Sequence, residues 1–150
     1  MTNLPLIAPA AALILFAVWA MLLVVCIGLW RVTQVITGTV PKGGFNPGTP
    51  HGGDAYWRLN RAHMNAVENL PIFATVVLSG LYLQVQDPLF QLLANVVIVA
   101  RVAQTLIHIS SGAAPVVLMR FTAYLVQVLS MLAMAAIDLN AAGVSLPFPH

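Results

Sequence analysis

The chain has 150 residues, of which 60% are apolar and only 7% charged, and its formal net charge is +2. Soluble domains carry about 25% charged residues, so this composition suits lipid as the surrounding solvent better than water. The six Lys and Arg residues form no basic stripe, which excludes a nucleic-acid partner. The single cysteine, Cys26, cannot form an intrachain disulfide and lies inside an apolar run.

The stretch from Leu4 to Trp30 carries no charge. It exceeds the roughly 7–15 apolar residues of a signal peptide and meets the need of a transmembrane helix for about 20. A first helix is predicted from Pro9 or Ala10 to Ile36, with Trp30 and Arg31 as interfacial anchors. Residues 37–57 are rich in glycine and proline and lack periodicity, so they read as a long loop. Neither of its GG pairs completes a phosphate-binding glycine motif.

A second span is predicted over about 58–85, its helix starting between Ala55 and Arg58. Its first turns are polar and the run from Leu70 to Val85 is apolar. Pro71 removes one helical hydrogen bond and favours a kink. Gln86, Asp87 and Pro88 form a short turn, where Asp87 can cap and Pro88 fits the first helical position. The third span covers about 88–109. After a break over Ser110–Pro115, the fourth covers about 114–139, ending near Asn140, Ala142 and Gly143, and the tail VSLPFPH reads as frayed. The predicted fold is all-α: one integral membrane domain, a four-helix bundle. Arg31, Lys42, Arg58, Arg61 and Arg120 border the first and third connections, so the positive-inside rule places both termini outside the cytoplasm.

Ionisable residues within membrane spans face a bundle interior or a wet cavity. Their helical spacing is therefore informative. Arg58, Arg61, Asn65 and Glu68 share one face of the second helix. Arg101, Gln104 and His108 share one face of the third, and Arg120, Tyr124, Gln127, Met131 and Asp138 one face of the fourth. Four arginines around one glutamate make a cationic pocket suited to a ligand with several carboxylates. The same residues have plainer readings: Arg58 and Arg61 as headgroup anchors, Arg101 with Glu68 as an interhelical ion pair, His108 as an interior histidine. Asp138 reads as a surface cap, Met131 and Met134 as packing, and Tyr56, Trp57 and Tyr82 as interfacial aromatics. Scattered histidines exclude a metal site of helical spacing, and no nucleophile elbow is present.

The segment RAHMNAVENLPIF, Arg61 to Phe73, resembles the second-helix signature of the MAPEG family (membrane-associated proteins in eicosanoid and glutathione metabolism). The match carries Arg61, Asn65, Glu68, Pro71 and Phe73, with the spacing NxxExxP. ARVAQTLIH, Ala100 to His108, is similar to the family's third-helix arginine segment, and RFTAY, Arg120 to Tyr124, to its fourth-helix start. The likeness is to a bacterial-type member resembling microsomal glutathione transferases, in the bacterial inner membrane.

The resemblance implies a homotrimer that binds glutathione as co-substrate between subunits, with no metal, and takes a lipophilic second substrate from the surrounding membrane lipids. Arg61, Asn65 and Glu68 would hold glutathione, with Arg58, Gln104 and Tyr124 as further binding groups. Arg101 and Arg120 would be catalytic groups, because a nearby guanidinium favours a thiolate over a thiol, and His108 a third, able to act as donor or base near neutral pH. The implied activity is that of a glutathione transferase or peroxidase. Gln104 and His108 stand where eicosanoid-forming members carry tyrosines, which speaks against prostaglandin or leukotriene synthesis. A non-catalytic glutathione- or lipid-binding protein and a small transporter subunit are the alternatives.

Overall fold

The computed structural model describes residues 6–41, 43–45, 53–110 and 112–144. Lys42 and most of the C-terminal tail lie outside the described residues. Four helices account for nearly everything described: α1 (Pro9–Ile36), α2 (Asp54–Tyr82), α3 (Pro88–Ser110) and α4 (Ala114–Ala141). Each is long and apolar enough to cross a membrane. The 28 residues of α1 extend roughly 42 Å at 1.5 Å per residue, beyond the hydrocarbon thickness of about 30 Å.

Contacts between helix ends show that successive helices reverse direction. Arg31 of α1 meets Tyr56 of α2, and His108 of α3 meets Arg120 of α4. At the other end the Asn95 side chain of α3 bonds both backbone polar groups of Ile7, clamping the entry to α1. The core between these ends is a column of Phe16, Phe73, Val77, Phe90, Val97 and Met134, in which the Phe16 and Phe73 rings lie 5.5 Å apart. Large apolar side chains such as Ile14, Leu29, Val99 and Leu132 point outward, as expected of helices solvated by lipid.

Three boundaries differ from the sequence expectation. The helix α2 begins at Asp54, before the predicted start, and ends at Tyr82 rather than Val85. Its end is fixed by a backbone motif. The Val85 amide donates to the Gly80 carbonyl and the Gln84 amide to Leu81, with Gln84 at φ 55°. This is the Schellman arrangement, usually built on glycine, and apolar periodicity cannot report it. The helix α4 closes in the same way on Gly143, at φ 83°. It is unbroken to Ala141, two residues beyond the expected end. Asp87 Oδ1 accepts the Leu89 amide at 2.7 Å and so caps α3, while α2 runs through Pro71 as one helix.

Asp138 is not a surface cap. It is 7% exposed, and neither carboxylate oxygen has a hydrogen-bond partner. It lies at a three-helix junction where α2 is reduced to Gly80. A β-carbon on Gly80 would press into the Phe90 ring of α3 and lie 2.9 Å from Asp138 Oδ1. Gly80→Ala is therefore expected to destabilise the bundle by about 1–3 kcal/mol through overpacking. Thermal unfolding in detergent checks this, and a midpoint equal to the parent's would refute the close-approach role.

Candidate functional site

A cavity of about 1050 Å³ opens at the end of the bundle where α1 ends and α2 begins. Helix α2 contributes Arg61, Asn65 and Glu68, which the 3.6-residue period sets on one face. Helix α3 contributes Gln104 and His108, one turn apart, and α4 contributes Arg120 and Tyr124. These seven of the nine candidates converge. Two do not line the cavity among the described residues. Arg58 turns its Nε to the Ile109 carbonyl at 3.2 Å, where it closes the C-terminus of α3. Arg101 is 1% exposed and sits behind Gln104.

Four further polar or aromatic residues of the lining escaped the sequence reading: Arg31, Trp57, Asn60 and Phe121. Arg31, expected as an interfacial anchor, belongs to the last turns of α1, level with the start of α2. Its Nε donates to the Tyr56 hydroxyl at 2.6 Å. Tyr56 in turn is buried and stacks on Trp30 at 3.8 Å between ring centroids, so it is not an interfacial aromatic. The cluster joins α1 to α2 at the cavity edge. Tyr56→Phe removes one hydrogen bond to a charged group and is expected to cost about 1.5–3 kcal/mol, measurable as a lowered unfolding midpoint. An unchanged midpoint would show that this bond adds nothing to the ring stack and the Phe16–Phe73 packing that also join the two helices.

The charge balance of the lining is distinctive. Arg31, Arg61 and Arg120 bring three guanidinium groups, and Glu68 is the one carboxylate among the described lining residues. Asn65 accepts the Asn69 amide on Oδ1 at 3.1 Å, which leaves its own amide N–H groups for a ligand. Opposite lies an apolar wall from the first turns of α4, with Val117, Leu118 and Phe121.

Hydrogen bonds on α3 orient its side chains. Arg101 Nη1 donates to Gln104 Oε1 at 2.7 Å, and Gln127 Nε2 of α4 donates to the same oxygen at 3.0 Å. Arginine has no acceptor, so the atom facing it must be the carbonyl oxygen. His108 Nδ1 lies 3.0 Å from Arg120 Nη1. The same rule makes Nδ1 the acceptor and puts the ring proton on Nε2. Buried Arg101 has two N–H positions, Nε and Nη2, without a partner. Its charge is relieved by the Phe16 ring, 5.2 Å away. Among the described residues no three of His, Cys, Asp and Glu are placed to hold a metal ion.

Fold and cavity define a multi-pass integral membrane protein with a cationic, partly apolar cavity at one end of a four-helix bundle. The chain belongs to the MAPEG family, whose sequence profile matches residues 9–139. No curated protein matches it.

Proposed function

We propose that this protein is a glutathione-dependent membrane transferase or peroxidase acting on lipophilic electrophiles or lipid hydroperoxides. The observation that carries the proposal is the charge pattern of the cavity: among the described lining residues, three guanidinium groups and a single carboxylate, Glu68. Glutathione offers the complement, two carboxylates and one ammonium group. Arg61 and Arg31 receive its carboxylates in the bidentate manner of guanidinium groups. Glu68 receives the ammonium, and Asn65 donates to a backbone carbonyl of the peptide. Arg120 then stands near the sulfur, where positive charge favours the thiolate.

The cavity volume of about 1050 Å³ reaches the top of the usual range for small-molecule sites, roughly 300–1,000 Å³. That leaves room for a second substrate against the apolar wall of α4. The thiolate attacks an electrophilic carbon, forming a carbon–sulfur bond as the leaving group departs, or attacks the terminal peroxide oxygen, forming a sulfur–oxygen bond as the O–O bond breaks and the alkoxide leaves with a proton from water; a second glutathione then converts the sulfenic acid to disulfide and water. The protein contributes proximity and preorganised charge.

Glu68 and Arg61 are exposed on the flank of a membrane helix. Charge facing hydrocarbon is costly, and a neighbouring copy in a homotrimer would cover both. The cavity end, with Arg31, Arg58, Arg61 and Arg120, belongs on the cytoplasmic side by the positive-inside rule, with both termini across a bacterial inner membrane.

Titrating the purified, lipid-reconstituted protein with glutathione tests the reading. Saturable heat of binding, a thiolate absorbance and turnover of an activated aryl halide or a lipid hydroperoxide are expected. No uptake of glutathione would contradict the proposal. Uptake with neither thiolate nor turnover would make the protein a binder.

A further inference from the structure

We infer that the α3 wall of the cavity is a donor-only cradle for anionic sulfur, in which Gln104 and His108 touch the sulfur while Arg101, Gln127 and Arg120 hold them in the donating orientation. The inference rests on the glutathione reading above and assigns the groups that receive the reacting atom.

Gln104 carries the argument. A side-chain amide presents an oxygen to a ligand as readily as an N–H when it is free to turn over. Here it is not free. Its Oε1 takes Arg101 Nη1 at 2.7 Å and Gln127 Nε2 at 3.0 Å, which occupies both lone pairs. Arg101 cannot accept, so a flipped amide would set N–H against N–H. The groups of Gln104 left for a cavity ligand are its amide N–H groups. Gln127 is itself fixed, because its Nε2 also donates to the Ala123 carbonyl at 3.1 Å.

His108 follows the same logic from the other side. Its Nδ1 is taken by Arg120 Nη1 at 3.0 Å, so Nε2 keeps its hydrogen. Residues four apart on a helix stand about 5–6 Å apart at Cβ. The two donors thus flank one ligand atom on the same cavity wall. An acceptor-rich wall would favour a neutral thiol; this one favours sulfur after its proton has passed to water, when the electron pair left behind meets two N–H groups and the free N–H positions of Arg120. Arg101 acts one shell further out. It polarises Gln104 and fixes its orientation without reaching the cavity, and so is a positioning residue.

The chemistry also excludes a base at this position. The unprotonated nitrogen of His108 points at a guanidinium, so the ring cannot take the thiol proton while that bond stands.

Gln104→Glu tests the cradle directly. The carboxylate keeps the oxygen that binds Arg101 and Gln127, but offers the ligand an acceptor in place of a donor. The thiolate absorbance per bound glutathione at neutral pH, with binding measured alongside by calorimetry, is expected to fall about tenfold or more, as for loss of a hydrogen bond to a charged group. His108→Phe is expected to lower the same signal to a similar degree, and His108→Gln to restore most of it, since a glutamine amide can accept from Arg120 and still donate. Parent-like thiolate signals in both Gln104→Glu and His108→Phe would overturn the inference. So would a His108→Gln protein as impaired as His108→Phe, the behaviour of a lost base. If the parent itself takes up no glutathione, the underlying reading fails and the inference with it.

Discussion

Arg101→Met is expected to lower glutathione thiolate formation about tenfold or more while leaving the bundle no less stable. The two halves of this result have one cause. Arg101 is 1% exposed, and two of its N–H positions have no partner. A buried cation with unmet donors is costly, and exchanging buried charge for apolar volume is often neutral or stabilising. Methionine fills similar space beside Phe16. What it cannot do is hold Gln104 Oε1, which Arg101 Nη1 reaches at 2.7 Å. Freed from that bond, Gln104 turns an oxygen to the ligand in part of the population. A hydrogen bond involving a charged group contributes about 1.5–3 kcal/mol, which is a ten- to hundredfold effect at roughly 1.4 kcal/mol per decade. Thermal unfolding in detergent and thiolate absorbance, read on the same preparation, check both halves. A large drop in the unfolding midpoint would mark Arg101 as part of a structural ion pair.

Glu68→Ala should weaken glutathione binding by about ten- to hundredfold, the loss expected for a charge-assisted hydrogen bond. Among the described residues no other carboxylate lines the cavity, so no neighbour can take over its partner. A ligand variant completes the argument. N-Acetylglutathione lacks the ammonium group and should bind the parent as weakly as glutathione binds the Glu68→Ala protein. The acetylated ligand should lose little more on going to the variant. If the two losses add in full, Glu68 does not receive the ammonium, and its role is to balance the arginines around it. Calorimetric titration of the four combinations decides.

Much of the fold was legible in the sequence because lipid imposes a simple rule. Every backbone polar group in hydrocarbon must be satisfied within the protein, so a long apolar run has little choice but helix. The four runs, the Asp87–Pro88 start of α3 and the glycine near the end of α4 follow from that rule and from local capping chemistry. The end of α2 was not legible, because a left-handed residue at Gln84 is unusual for glutamine and the apolar pattern continues past it. Asp138 was misread for a related reason. Its place near a helix end suggested exposure, whereas the gap left by Gly80 draws it into a junction with Phe90.

The amino-acid pattern alone fixes the solvent of this protein, its four spans and the polar stripes on three of them. Those follow from composition and helical period, which depend on near neighbours alone. The tertiary structure decided which arginines meet the cavity. It set Arg31 at the lining, drew Arg58 to the end of α3 and buried Arg101 behind Gln104. It also decided which atom of Gln104 and which nitrogen of His108 a ligand meets. Period places a side chain on a face, but its direction depends on partners from other helices, here Gln127 and Arg120, that no local pattern specifies.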